Sequence, residues 1–97
     1  MQFDGFDWDA GNRDKCRKHG VSTREIESLF ASGPRVGPDV RHSDVEQRYR
    51  AVGRTADGRH LFVVFTLRQR SDGLSIRPIS ARYMHRNEVE AYEKEVS

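Results

Sequence analysis

The run His42-Ser43-Asp44-Val45-Glu46-Gln47-Arg48 leads into a strand-like segment. Counting by twos puts Glu46, Arg48, Arg50 and Arg54 on one face of it. A later segment carries Arg77, Ser80 and Arg82 shortly before His85, and a basic pair, Lys18-His19, precedes Gly20. Histidine and glutamate can exchange protons, and arginine supplies a permanent planar cation. Those are the parts needed to break a phosphodiester by attack of the neighbouring 2′-hydroxyl. One group takes the hydroxyl proton, another protonates the departing 5′ oxygen, and cations stabilise the crowded phosphorane. On chemistry alone the plainer reading is the stronger one: Glu46 and Arg48 belong to an ordinary network of paired surface charges. Lys18-His19 also has a plain reading, because a basic pair at a helix C-terminus complements the helix dipole.

Other chemistries find little support. Cys16 and His19 have a C-x-x-H spacing, but no second pair lies at ligand spacing, and His42, His60 and His85 fall on separate elements. No metal and no cofactor are expected. Walker A, G-x-G-x-x-G and G-x-S-x-G words are absent from the sequence. A passive base-stacking platform is weak, since Phe62 and Phe65 point to opposite faces of their strand and Tyr49 is isolated among arginines. The aromatic residues read as core.

Ninety-seven residues make a single domain, 1–97, that buries roughly two thirds of its unfolded surface. The composition is polar, 35% hydrophobic and 33% charged, with a mean hydropathy of −0.84. A thin core follows: one sheet covered by helices on one side, with the other side open to a partner. The longest apolar run, Leu61 to Phe65, is far too short to cross a membrane. The acidic start MQFDGFDWD does not read as a secretory signal, and the lone Cys16 fits a reducing compartment. The expected location is cytoplasmic.

The net charge of +2 hides an uneven distribution. Residues 1–11 hold Asp4, Asp7 and Asp9 with no base, and residues 88–97 hold Glu88, Glu90, Glu93 and Glu95 against Lys94. Between them, sixteen Lys/Arg face eight Asp/Glu, and fourteen of the chain's seventeen bases are arginine. Arginine grips phosphate with two parallel hydrogen bonds, so the bias favours a polyanionic partner such as RNA.

Several elements must position these residues. Phe3 to Trp8 reads as a short edge strand. Asp9 caps a helix running to His19, with Gly20 as its stop. Ser22-Thr23-Arg24-Glu25 is a capping box flanked by the staple pair Val21 and Ile26. Ile26, Leu29 and Phe30 form the apolar stripe of that helix, which Gly33-Pro34 ends. After a loop around Pro38-Asp39 come strands Arg48 to Arg54, His60 to Arg68 and Leu74 to Arg82, joined by turns at Ala56-Asp57-Gly58 and Ser71-Asp72-Gly73. Leu61 to Phe65 is apolar on both faces and should be central and covered on both sides. Pro78 belongs at an edge or bulge. A helix from about His85 to Val96, with Val89, Tyr92 and Val96 inward, closes the chain. The fold class is α+β: two N-terminal helices, an antiparallel sheet of three to four strands and a C-terminal helix.

Taken together, these words resemble the BrnT toxins of type II toxin–antitoxin systems, within the wider RelE/ParE-like superfamily. The resemblance runs through Phe6-Asp7-Trp8-Asp9, Arg17-Lys18-His19-Gly20-Val21-Ser22, Glu25, Leu29-Phe30, His42-Ser43, Glu46, Arg48 and Gly53-Arg54. It continues with Arg68, Ile79-Ser80-Ala81-Arg82, Glu88 and Tyr92. Cys16, where the family often has asparagine nearby, and Pro78, in place of an aliphatic residue, depart from the pattern. The resemblance implies a RelE-like fold, ribonuclease activity that halts translation, and an adjacent ribbon-helix-helix antitoxin, BrnA-like, bound in a hetero-oligomer. Carried onto this chain, the shared polar positions are Lys18, His19, His42, Glu46, Arg48, Arg68, Arg82 and His85.

The expected assignment has Arg48 and Arg82 holding the scissile phosphate, His42 or Glu46 as base, and His19 or Lys18 assisting the leaving group. Arg50, Arg54, Arg68, Arg77 and His85 are expected to bind RNA. The acidic C-terminal helix is expected to lie outside this patch. Two other functions stay open: a gyrase-type poison that cuts nothing, and a degenerate partner kept for its antitoxin.

Overall fold

The structure, a computed structural model, describes residues 3–39 and 46–96. Helix α1 spans Ala10–Arg17 and opens on a capping box. Asp9 Oδ1 accepts the Asn12 backbone N–H at 3.0 Å, and Asn12 Oδ1 accepts the Asp9 N–H at 2.7 Å. The helix ends at Arg17, two residues earlier than the sequence suggests, so Lys18 and His19 lie in the turn that Gly20 completes at φ +85°. Helix α2 spans Thr23–Ala31 and begins with the expected Ser22/Glu25 capping box. Its stripe Ile26, Leu29 and Phe30 is buried.

Among the described residues four strands form an antiparallel meander in the order β1-β2-β3-β4: β1 Arg35–Pro38, β2 Tyr49–Arg54, β3 His60–Arg70 and β4 Gly73–Tyr83. The α+β expectation therefore holds. Strand β1 is a correction, because Pro34, Gly37 and Pro38 read as loop punctuation. Proline lacks the N–H a central strand needs but is tolerated at a sheet edge, where β1 lies. Strand β2 starts at Tyr49, so Glu46 and Arg48 precede it. Pro78 sits at a bulge as expected: Val64 pairs with Ser80 and Phe65 with Pro78, leaving Ile79 unpaired.

The N-terminal segment runs along the outer edge of β4, bridging Phe6 to Ile76 in parallel rather than forming a full strand. Backbone bonds from Asp4 N to Leu74 O (2.7 Å) and Asp7 N to Ile76 O (2.8 Å) fix it there. Asn12, buried in α1, locks helix to sheet: its Nδ2 donates to Asp7 O at 2.9 Å and to Pro78 O at 2.8 Å.

The register divides the sheet into two faces. Ala51, Leu61, Val63, Phe65 and Ala81 face α1 and α2, where they bury with Cys16, Val21, Ile26, Leu29 and Phe30. The approach is close: a Cβ on Gly53 would meet Leu29 Cδ1 at 3.0 Å. The opposite face carries Arg35, Arg50, Arg54, His60, Phe62, Val64, Thr66, Ser80 and Arg82. Helix α3, Arg86–Val96, meets this second face. It buries no residue, and Val96, expected inward, is 43% exposed. Val89 and Tyr92, also expected inward, are half-buried, with the Tyr92 ring edge-on to His60 at 5.7 Å, and carboxylates of α3 make the remaining contacts with this charged face. Leu61–Phe65 is thus packed fully on the helix side and partly on the other, where Val64 is buried and Phe62 half-buried.

Candidate active site on the open sheet face

A cavity of about 420 Å³ opens on the second face. Phe62 and Val64 of β3 form its floor, with Ser80 and Arg82 of β4 and Arg50 of β2 around it. His19 reaches the rim from the turn after α1. That turn is pinned from below, because Val21 is fully buried and the Tyr83 hydroxyl lies 3.3 Å from Gly20 O and 2.9 Å from both Glu25 oxygens. Asp39, buried, and Glu88 line the cavity as well, so its rim sets two carboxylates among the cations. An apolar floor beside Arg50 and Arg82 suits a nucleotide: the base can lie on the floor while the phosphate meets the guanidinium groups.

Arg82 is the most constrained cation here. Its guanidinium lies over the Phe62 ring, 4.5 Å from the centroid. Nη1 and Nη2 donate to Glu88 Oε1 and Oε2 at 2.8 and 3.0 Å, a two-point fork on the first turn of α3. These hydrogen bonds hold the Glu88 carboxyl down at about 2 and push Arg82 upward. Glu88 Oε1 also accepts the His85 backbone N–H at 2.7 Å, so one side chain both caps α3 and clamps Arg82. The acidic helix therefore reaches into the patch instead of lying outside it, a correction to the sequence reading.

The remaining candidates are spread more widely. Arg50 is exposed and, among the described residues, has no ion-pair partner. Arg54 faces Glu93 at 3.7 Å, and Arg68 pairs with Glu46 at 3.3 Å beyond the cavity. Arg77 is turned to the N-terminal segment, 2.8 Å from Asp9 and 3.6 Å from Asp7. Arg48, half-buried ahead of β2, offers its carbonyl to Asp39 N at 2.9 Å. Lys18 is exposed at the C-cap of α1, and His85 is exposed at the start of α3. His42 lies outside the described residues. The structure thus gathers His19, Arg50 and Arg82, keeps Glu46 with Arg68, and ties Arg77 elsewhere.

Sequence reasoning missed three participants. Phe62, read as core, forms the cavity floor; it pairs with Arg82 across the β3–β4 ladder, a relation that needs the register. Glu88 stands three residues after His85, a spacing that marks a helix-capping acid but does not reveal its hold on Arg82. His60 Nε2 lies 2.7 Å from Glu93 Oε2 on the same face.

Among the described residues no three His, Cys, Asp or Glu side chains gather as a metal site. Cys16 is buried, which pushes its thiol up to about 11 and away from nucleophilic use. No described helix is long and apolar enough to cross a membrane. No curated protein matches the chain. A family model described as "Ribonuclease toxin, BrnT, of type II toxin-antitoxin system" matches residues 8–88, from the strand-like segment before α1 through the first turn of α3. The chain that builds this arginine-rimmed cavity belongs to the BrnT family of ribonuclease toxins.

Proposed function

We propose that this toxin cleaves RNA at the cavity on the open sheet face, without a metal ion, and thereby halts translation. The observation that carries the proposal is the convergence of His19, Arg50 and Arg82 on one aromatic-floored cavity. Arg82 and Arg50 meet the scissile phosphate, joined by Arg48 from the chain just before β2. A base, His42 or Glu46, takes the 2′-hydroxyl proton. The freed 2′ oxygen attacks phosphorus, the P–O5′ bond breaks, and His19 gives its proton to the departing 5′ oxygen. Lys18, exposed next to His19, adds charge at the leaving-group side. The products are a 2′,3′-cyclic phosphate and a 5′-hydroxyl, and the atoms balance without a cofactor. Arg54, Arg68 and His85 extend the cationic surface for flanking phosphates, with Arg77 at its margin.

The partner in the cell is an antitoxin, which the family's type II character implies. We assign it to the ribbon-helix-helix class and place it over the same open face, where it excludes RNA in a hetero-oligomer. Purified toxin incubated with single-stranded RNA in EDTA tests the reading. Cleavage leaving cyclic phosphate ends is expected. Activity that disappears with chelator and returns with magnesium would overturn the metal-free mechanism.

A further inference from the structure

Arg35, Arg54, His60 and Arg82 lie on one face of the sheet, and each is met by a carboxylate of α3. Glu88 grips Arg82 at 2.8 and 3.0 Å. Glu93 reaches His60 at 2.7 Å and Arg54 at 3.7 Å, and Glu95 reaches Arg35 at 2.7 Å. From Glu88 to Glu95 the helix advances about 10 Å. Along that length α3 presents a row of anionic oxygens to a row of cations, the arrangement an RNA backbone would also present. No α3 residue is fully buried; Val89 and Tyr92 are half-buried, and the Tyr92 ring stands edge-on to His60 with centroids 5.7 Å apart, a small apolar seat beside the ion pairs. Partly exposed ion pairs contribute little to stability individually and weaken with salt. The helix is therefore held at a surface whose chemistry suits a polyanion, by contacts that another polyanion can replace.

We propose that Arg82, His60, Arg54 and Arg35 form a track for the RNA backbone that the acidic side of α3 occupies in the free chain and yields when RNA binds. The inference rests on the RNA-cleaving reading above and adds to it His60 and Arg35 as phosphate contacts and α3 as the competitor. It also accounts for Arg82, whose two-point fork can engage a phosphate fully only after Glu88 leaves.

Full-length variants and an uncleavable 2′-O-methyl RNA oligonucleotide test it by fluorescence anisotropy, with hydrogen exchange of the α3 amides followed in parallel. Glu88→Gln and Glu93→Gln should each tighten binding about tenfold. Glu90→Gln removes the same charge from the same helix but at a site whose partner is Arg86, on α3 itself, at 3.5 Å, and should leave affinity within about twofold. RNA should speed exchange in α3 of the wild-type chain. Because Glu88 also caps α3, Glu93→Gln carries the test if Glu88→Gln frays the helix. Binding that tightens equally in all three variants, or α3 amides that exchange no faster with RNA, would overturn the track while leaving the ribonuclease reading intact. A chain that neither binds nor cuts RNA in any of these forms would overturn both.

Discussion

Glu88 holds Arg82 with both carboxylate oxygens while the same carboxylate, in the first turn of α3, caps that helix by accepting the His85 N–H. One side chain thereby couples the seat of α3 to the most constrained cation of the candidate site. The guanidinium is fixed from a second direction by the Phe62 ring, so Arg82 is oriented before any substrate arrives.

This relation has a pH signature. The Glu88 carboxyl is lowered from 4.5 to about 2, chiefly by its hydrogen bonds to Arg82. A folded value below the unfolded one stabilises the protein above the unfolded value, and the contribution fades as pH falls toward the folded one. The shift at full worth is about 3 kcal/mol, but Glu88 and Arg82 are 31% and 32% exposed, and solvent screening reduces it to about 1 kcal/mol. Urea denaturation should show wild type more stable than Glu88→Gln by that amount near neutrality. The gap should close between the ordinary carboxylate range and about 2. A gap independent of pH would show that the charge of the Glu88 carboxylate, and with it the Arg82 pair, adds nothing to stability.

Asn12 joins three parts of the fold. Its amide donates to Asp7 O and Pro78 O, and its carbonyl oxygen accepts the Asp9 N–H, in a buried setting. Asn12→Ala would strand these backbone groups and should cost about 3 kcal/mol. Equilibrium denaturation checks this, and a loss below about 1 kcal/mol would show that water replaces the amide.

His19 is exposed on the cavity rim, where a proton donor to a departing oxygen would stand. His19→Gln should lower the single-turnover cleavage rate by about a hundredfold and flatten one limb of the pH–rate profile. Removing the 5′ leaving-group burden with a more acidic leaving group should restore most of the rate. A slow variant that keeps the wild-type pH profile would assign His19 a binding role instead.

The elements that local rules govern were legible from residues. The Ser22–Glu25 capping box and Asp9 as an N-cap are short-range hydrogen-bond patterns; that Asn12 completes a second box with Asp9 went unread. The apolar stripe of α2, the Asp-Gly turn before β3 and the Pro78 bulge are equally local. Strand β1 escaped because its proline and glycine are tolerated only by its edge position, a tertiary fact. The cavity was half legible. Period-two counting placed Arg50 and Arg54 on one face, and the register confirms that pairing for the strand itself. Phe62 under Arg82 and Glu88 above it depend on the β3–β4 ladder and on how α3 returns across the sheet, which no local pattern encodes. Arg77 shows the converse: its side chain is claimed by Asp7 and Asp9, acids some seventy positions away in sequence.

The most direct measurement is the single-turnover cleavage of RNA by Arg82→Gln and Arg50→Gln, set beside RNA affinity and thermal stability. If these arginines stabilise the phosphorane, each substitution should lower the rate by roughly a hundredfold, about 3 kcal/mol, while affinity falls only a few-fold. Arg24→Gln, on the exposed side of α2, should behave as wild type. Folded Arg82→Gln and Arg50→Gln proteins that cut RNA at the wild-type rate would contradict the account and move the active site away from this cavity.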